Sequence, residues 1–257
     1  MKFNGKWTLP DISIKTYNDL LNDLLNDINL FSKFKSISDY QGIVGCDSYG
    51  KEAAELLVAI IIKDYPELLN YIKKFQENDK FGSPNIYDTI MGKFSPNTLR
   101  YIVILGELAE QFGSLDGKNI IEIGSAYGGQ CFIISQRYKF KSYTLTDIPQ
   151  SIELSKQYLS LLEVENIIYQ DTNNIEIKES DLVISNFALS ELDETGRNFY
   201  FDNIISKTKN FYMITNIFNK IQCTQLLKKL ELLFKVEFYL EPKLKKIGTG
   251  IWIGKRL

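Results

Sequence analysis

Residues 120–129, Ile120-Ile121-Glu122-Ile123-Gly124-Ser125-Ala126-Tyr127-Gly128-Gly129, carry the most chemically suggestive pattern in this sequence. An apolar strand runs into a turn of small residues and then into a helix. Small residues let the backbone approach a ligand closely, and the helix N-terminus behind them offers unpaired N–H groups. The spacing admits two ligands. Gly124, Ala126 and Gly129 fit the G-x-A-x-x-G turn that cradles a dinucleotide such as NAD, whereas Glu122, Gly124, Ala126 and Gly128 fit E-x-G-x-A-x-G.

Glu122 separates the two. A carboxylate repels a pyrophosphate, but it suits S-adenosylmethionine, which carries an ammonium and a sulfonium. This reading places Glu122, Gly124, Ser125, Ala126, Tyr127 and Gly128 around S-adenosylmethionine, with S-adenosylhomocysteine as the product. Farther along, Asp147 ends a second strand and precedes Ile148-Pro149. An acid there can accept from both hydroxyls of a ribose, or it can cap the following helix. After a third strand, Asp171 is placed for an adenine amino group, or for a turn in its Asp-Thr-Asn-Asn loop. A fourth strand ends in Asn186-Phe187-Ala188-Leu189-Ser190-Glu191-Leu192, at the sheet edge that faces the ligand crevice of an open α/β sheet. Asn186 would position the methyl donor or the acceptor, and Phe187 would flank the cofactor. Ser190 would lie on the substrate side, and Glu191 would take the acceptor's proton. The competing expectation is that Ser190-Glu191 only opens a helix running through Phe199 and Ile204.

Several elements must hold these residues in place. Residues 1–113 read as a helical cap or substrate region. An apolar stripe of Leu20, Leu21, Leu24, Leu25 and Ile28 marks one helix, and residues 51–63 mark another. Residues 65–75 read as a helix with Pro66 at its start, and residues 79–93 as a loop. Ser95-Pro96 supplies a cap and a first-turn proline for a helix to Phe112, closed by Gly113. The cap would bring Arg100 and Tyr101 near the acceptor, though a surface salt bridge is an equal role for Arg100. Residues 114–257 read as a Rossmann-like α/β domain. Apolar runs at 119–123, 142–146, 166–169, 181–185, 211–215, 236–240 and 250–254 alternate with helices, implying a mainly parallel sheet. The last two runs are too close for a crossover helix and should pair antiparallel. Trp252, in the final run, is placed to stack on a sugar; for it and for Tyr127 the competing role is core packing.

Composition narrows the function further. The 257 residues contain no histidine, which excludes imidazole bases, His-based triads and HExxH zinc sites. Thirty basic against 32 acidic residues leave a net charge of −2, so nothing draws the chain toward nucleic acid or anionic lipid. Cys46, Cys131 and Cys223 are too scattered for a disulfide framework or a metal cluster. Asp193 and Glu194 read as exposed first-turn residues rather than as part of a metal site. No signal peptide or membrane span is evident, and a cytoplasmic protein is expected.

The chain resembles a sugar O-methyltransferase family of bacterial polysaccharide biosynthesis, within the class I methyltransferases. The resemblance runs from about Ser95 to the C-terminus. It rests on Ser95-Pro96-Asn97-Thr98-Leu99-Arg100-Tyr101, on Glu122 to Gln130, on Thr146-Asp147-Ile148-Pro149 and, most specifically, on Asp181 to Leu192. Ser125 and Ala126 stand where family members often have glycine. The resemblance implies methylation of a sugar hydroxyl on a glycan or a nucleotide sugar. Sequence alone leaves open an NAD-dependent sugar-modifying enzyme, a non-catalytic binding module and a homo-oligomer.

Overall fold

A computed structural model of the chain describes residues 14–41, 50–176, 179–216, 224–240 and 249–257. Its N-terminal helices are α1 (Ile14–Asn26), α2 (Ile28–Phe31), α3 (Ser38–Gln41), α4 (Lys51–Asp64) and α5 (Ile72–Phe75). Leu21 and Leu24 are buried as the stripe requires, but Ile28 is 71% exposed. The reason is local: α1 stops before Asp27, whose side chain accepts the Asn29 N–H and caps α2 as a separate helix. Residues 65–75 form a 3₁₀ helix (Pro66–Tyr71) followed by α5 rather than one α-helix.

The segment expected to be a loop contains a short hairpin, β1 (Tyr87–Thr89) and β2 (Gly92–Phe94). Thr89 closes it by accepting the Met91 N–H and donating to the Gly92 carbonyl. Strands this short and polar carry no alternating pattern to read. Helix α6 (Pro96–Phe112) follows as expected. Ser95 Oγ accepts the Thr98 N–H at 3.1 Å, and Gly113 ends the helix with φ of 72°. Residues 96–108 of α6 are buried without interruption, including Arg100 and Glu107.

Beyond α6 the elements are β3 (Asn119–Ile123), α7 (Gly129–Ser135), β4 (Ser142–Asp147), α8 (Pro149–Leu161), β5 (Ile167–Asp171) and β6 (Leu182–Asn186). They continue as α9 (Ala188–Glu191), α10 (Glu194–Asn203), β7 (Asn210–Asn216), α11 (Thr224–Glu231), β8 (Phe234–Leu240) and β9 (Thr249–Arg256). Among the described residues, seven strands form one sheet in the order β5-β4-β3-β6-β7-β9-β8. The first five are parallel, and β9 is antiparallel to both β7 and β8. The chain works outward from β3 to β5 and then crosses back to β6 on the other side of β3. That reversal opens a crevice beyond the carboxyl ends of β3 and β6.

Alternation along the strands divides the sheet's two faces. Ile120, Tyr143, Leu145, Leu182, Ile184, Tyr212 and Ile253 join a core shared with α6, α7, α8 and the N-terminal helices. Ile121, Ile123, Val183, Phe211, Met213 and Trp252 face a second core with α10 and α11. Cys131 is buried and unbonded; Cys46 and Cys223 lie outside the described residues. Among the described residues no helix is long and apolar enough to cross a membrane, and no group of three or more His, Cys, Asp or Glu side chains is placed to hold a metal.

Candidate active site

The small-residue turn has the close approaches its composition suggests. Gly124 has φ of 74°, and a Cβ there would lie 2.1 Å from the Ala188 Cβ. The turn after β3 therefore touches the start of α9 after β6. Gly128, with φ of 86°, leaves no room for a Cβ, which would lie 2.8 Å from Leu159. Ala126 also takes a positive φ, 48°, and turns its N–H onto Asp147 Oδ2 at 2.9 Å. The other oxygen, Oδ1, accepts the Ile148 N–H at 2.7 Å. Asp147 is thus not the cap of α8; that position belongs to Ile148, and the carboxylate is clamped between turn and helix. Burial pushes its pKa up to about 6, against the two backbone N–H groups and the Ser151 hydroxyl, which hold it down.

Two side chains at this edge are buried without hydrogen-bond partners: the Ser125 hydroxyl, and the Asn186 amide through both its oxygen and its nitrogen. Ser125 lies just beyond β3, and Asn186 is the last residue of the adjacent β6. Buried polar atoms are nearly always satisfied, so two unpaired side chains at the ends of neighbouring strands point to a ligand. Phe187 follows at φ of 71°, and its carbonyl accepts the Ser190 hydroxyl at 2.7 Å. The continuous helix of the competing expectation, from Ser190 through Ile204, is broken. Helix α9 ends at Glu191, and α10 restarts at Glu194 under a cap from Asp193, which accepts the Gly196 N–H at 2.8 Å. The break leaves Glu191 half-buried at the C-terminus of a single turn.

Tyr17 of α1 enters this region, although sequence reading did not single it out. Its hydroxyl lies 3.4 Å from Ser151 Oγ. Burial and the nearby charges of Asp147 and Glu191 push its pKa well above the ordinary tyrosine value. The one available signal was its place four residues before Leu21, on the apolar stripe. Tyr200 of α10 is likewise buried and raised, by burial first and then by the charge of Asp147.

The remaining candidates are held by other contacts. Glu122 is 3% exposed and accepts the Tyr143 hydroxyl at 2.9 Å. Burial, opposed by that bond and helped by Asp147, raises its carboxyl to about 8. It is a largely neutral hydrogen-bonding group at pH 7 rather than a ready-made counter-ion. Tyr127 is 1% exposed and packs into the core against Phe34, Tyr101 and Tyr158, so it does not flank the crevice. Tyr101 is buried against Tyr127 and Gly129 rather than set toward an acceptor. Arg100 is also buried, not a surface ion pair, and its guanidinium lies 5.0 Å from the Phe187 ring centroid. Asp171 accepts the Asn173 N–H at 2.8 Å and so closes its own turn. Trp252 does not offer its face to a sugar: it is 7% exposed, packs 4.5 Å from Phe238, and donates its indole N–H to Thr215. Its position on β9 turns it into the core beneath α11.

No family model matches the chain. A carboxy-S-adenosyl-L-methionine synthase of Haemophilus ducreyi is 26% identical over 119 residues, 44% of this chain and 48% of that protein. The chain thus spans about half the length of that curated relative. Among solved structures, a Pyrococcus horikoshii protein proposed to be an RNA methyltransferase is similar at a TM-score of 0.50 and 14% identity, over 73% of this chain and 98% of the other. A SAM-dependent methyltransferase of Aquifex aeolicus is similar at a TM-score of 0.48 and 13% identity, over 60% and 89% of the two chains. With its parallel sheet closed by an antiparallel β9, this chain has the Rossmann-like fold of the class I methyltransferases.

Proposed function

We propose that the protein is an S-adenosylmethionine-dependent O-methyltransferase acting on a sugar hydroxyl of a glycan or nucleotide sugar. The observation that carries the cofactor assignment is the pair of buried, unpartnered groups, Ser125 Oγ and the Asn186 amide, at the ends of β3 and β6. Clamped Asp147 offers its remaining lone pairs to a ribose diol, and the close Gly124–Ala188 approach shapes the crevice floor. Asp171, the last residue of β5, keeps its candidate role at the adenine amino group beside the turn it closes. When bound, S-adenosylmethionine supplies an electrophilic methyl group on a sulfonium.

The protein's own task is orientation and proton removal. Well-aligned reactants gain on the order of 7–11 kcal/mol from orientation alone. A sugar hydroxyl is a weak acid, so a general base contributes a further ~10²–10⁴-fold. Glu191, half-buried and near enough to Tyr17 for its charge to act there, is the carboxylate assigned to take that proton. Residues 1–113 serve as the substrate-side cap over the domain formed by residues 114–257, with Arg100 against Phe187 on the acceptor side. The choice of a sugar rests on the motif resemblance, most of all on Asp181 to Leu192.

Titration calorimetry with S-adenosylhomocysteine and with NAD tests the cofactor. S-adenosylhomocysteine should bind, and Asp147→Ala and Asn186→Ala should each weaken it; binding of NAD alone would overturn the assignment. Methyl-labelled cofactor offered with nucleotide sugars, cell-surface glycans and RNA tests the acceptor. Label entering RNA but no sugar would refute the sugar reading while leaving the cofactor reading intact.

A further inference from the structure

Lys35, in the segment after α2, is 4% exposed. Its ammonium donates to the Asn78 carbonyl at 2.5 Å and to the Tyr158 hydroxyl at 2.8 Å. It also faces three rings, at 4.4 Å from the Tyr158 centroid, 4.6 Å from Tyr127 and 5.6 Å from Phe34. Such a cage compensates the desolvation of an ammonium through cation–π attraction and charge-assisted hydrogen bonds.

One wall of that cage belongs to the cofactor turn. Tyr127 sits between Ala126 and Gly128, and its hydroxyl accepts the Asn97 amide at 3.2 Å. Its ring meets Tyr158 edge-on at 4.9 Å. The next residue back, Ala126, holds a left-handed backbone conformation that a residue with a Cβ adopts only when its surroundings impose it. That conformation turns the Ala126 N–H onto Asp147 Oδ2. Lys35, the Tyr127 ring, the Ala126 N–H and the Asp147 carboxylate thus form one continuous physical chain from the N-terminal segment to the crevice.

We propose that Lys35 is a positioning residue for the cofactor turn, gripping Tyr127 so that Ala126 and Asp147 are aimed before ligand arrives. The inference rests on the assignment of this crevice to S-adenosylmethionine. It makes docking of the N-terminal segment a condition for tight cofactor binding, with Lys35 touching neither cofactor nor acceptor.

The test is a double-mutant cycle on the full chain, read by calorimetry with S-adenosylhomocysteine. Lys35→Met preserves length and leaves the Asn78 carbonyl with the Tyr158 hydroxyl, which donates to it at 2.5 Å. It should weaken S-adenosylhomocysteine about tenfold in the wild-type background and less than about twofold in an Asp147→Ala background, as coupled residues do. In turnover assays it should raise the KM for S-adenosylmethionine and leave kcat at saturation within about twofold. Should Lys35→Met fail to fold, Lys35→Gln carries the same test, because its amide still donates to Asn78 while the cation over the rings is gone. A folded variant with wild-type affinity, or an additive cycle, overturns the inference. Wild-type protein that ignores S-adenosylhomocysteine removes the cofactor assignment, and the inference falls with it.

Discussion

Glu122 offers a quantitative test of the buried turn. Its carboxyl is raised from an ordinary 4.5 to about 8, chiefly by burial. An acid harder to ionise in the folded chain than in the unfolded one favours folding at low pH. That advantage is lost as pH climbs from the unfolded value through the folded one. Between pH 6 and pH 8 the loss from Glu122 alone comes to about 2 kcal/mol, at 1.36 kcal/mol per unit less the partial ionisation near 8. Asp147, raised to about 6, adds less than ~0.5 kcal/mol over the same window because most of its change lies below it. Glu122→Gln cannot ionise, and its amide oxygen can still accept the Tyr143 hydroxyl. Urea denaturation followed by tryptophan fluorescence at pH 6 and pH 8 should therefore show wild type losing about 2 kcal/mol that the variant keeps, making the variant the more stable protein at pH 8. Parallel losses in the two proteins would refute the assignment of a raised pKa to Glu122, and with it the claim that Glu122 is mostly neutral at pH 7.

Three further outcomes are expected. Gly124→Ala combines a left-handed backbone, about 1–2 kcal/mol, with a clash against Ala188, about 1–3 kcal/mol. It should lower the urea midpoint and abolish S-adenosylhomocysteine binding, and wild-type affinity would contradict the close approach. Glu191→Gln should bind S-adenosylhomocysteine normally while methyl transfer slows by ~10²–10⁴-fold; full turnover in a labelled-methyl assay would remove Glu191 as the base. Trp252→Phe loses the indole bond to Thr215 and some core volume, for about 1–3 kcal/mol of stability. It should leave the acceptor KM unchanged, since Trp252 is a core residue; a raised acceptor KM would restore its place in the substrate site.

Much of the architecture was legible because its signals are local. Ser95-Pro96 and Gly113 bounded α6 through cap chemistry within a few residues. The apolar runs marked each strand of the sheet, and the short link before the last one required an antiparallel return, which β8 and β9 make. Errors arose where local chemistry was ambiguous. Asp27 restarted a helix that the stripe carried through Ile28, Asp193 broke the helix that the competing expectation ran from Ser190 to Ile204, and the polar hairpin at residues 87–94 left no periodic trace.

The sequence by itself determined the strand–helix alternation, the glycine turn and the acids that follow successive strands, since spacing along the chain sets which residues end a strand. Tertiary structure alone decided which of those groups face the crevice. Trp252 and Tyr127 had plausible site roles until packing turned both into cores, and Glu122 had a charge until burial largely removed it. Tyr17 and Lys35 meet their partners Ser151 and Tyr158 across more than a hundred residues of sequence. Their roles depend on desolvation and on contacts between distant segments, and no neighbouring residue in the chain encodes those.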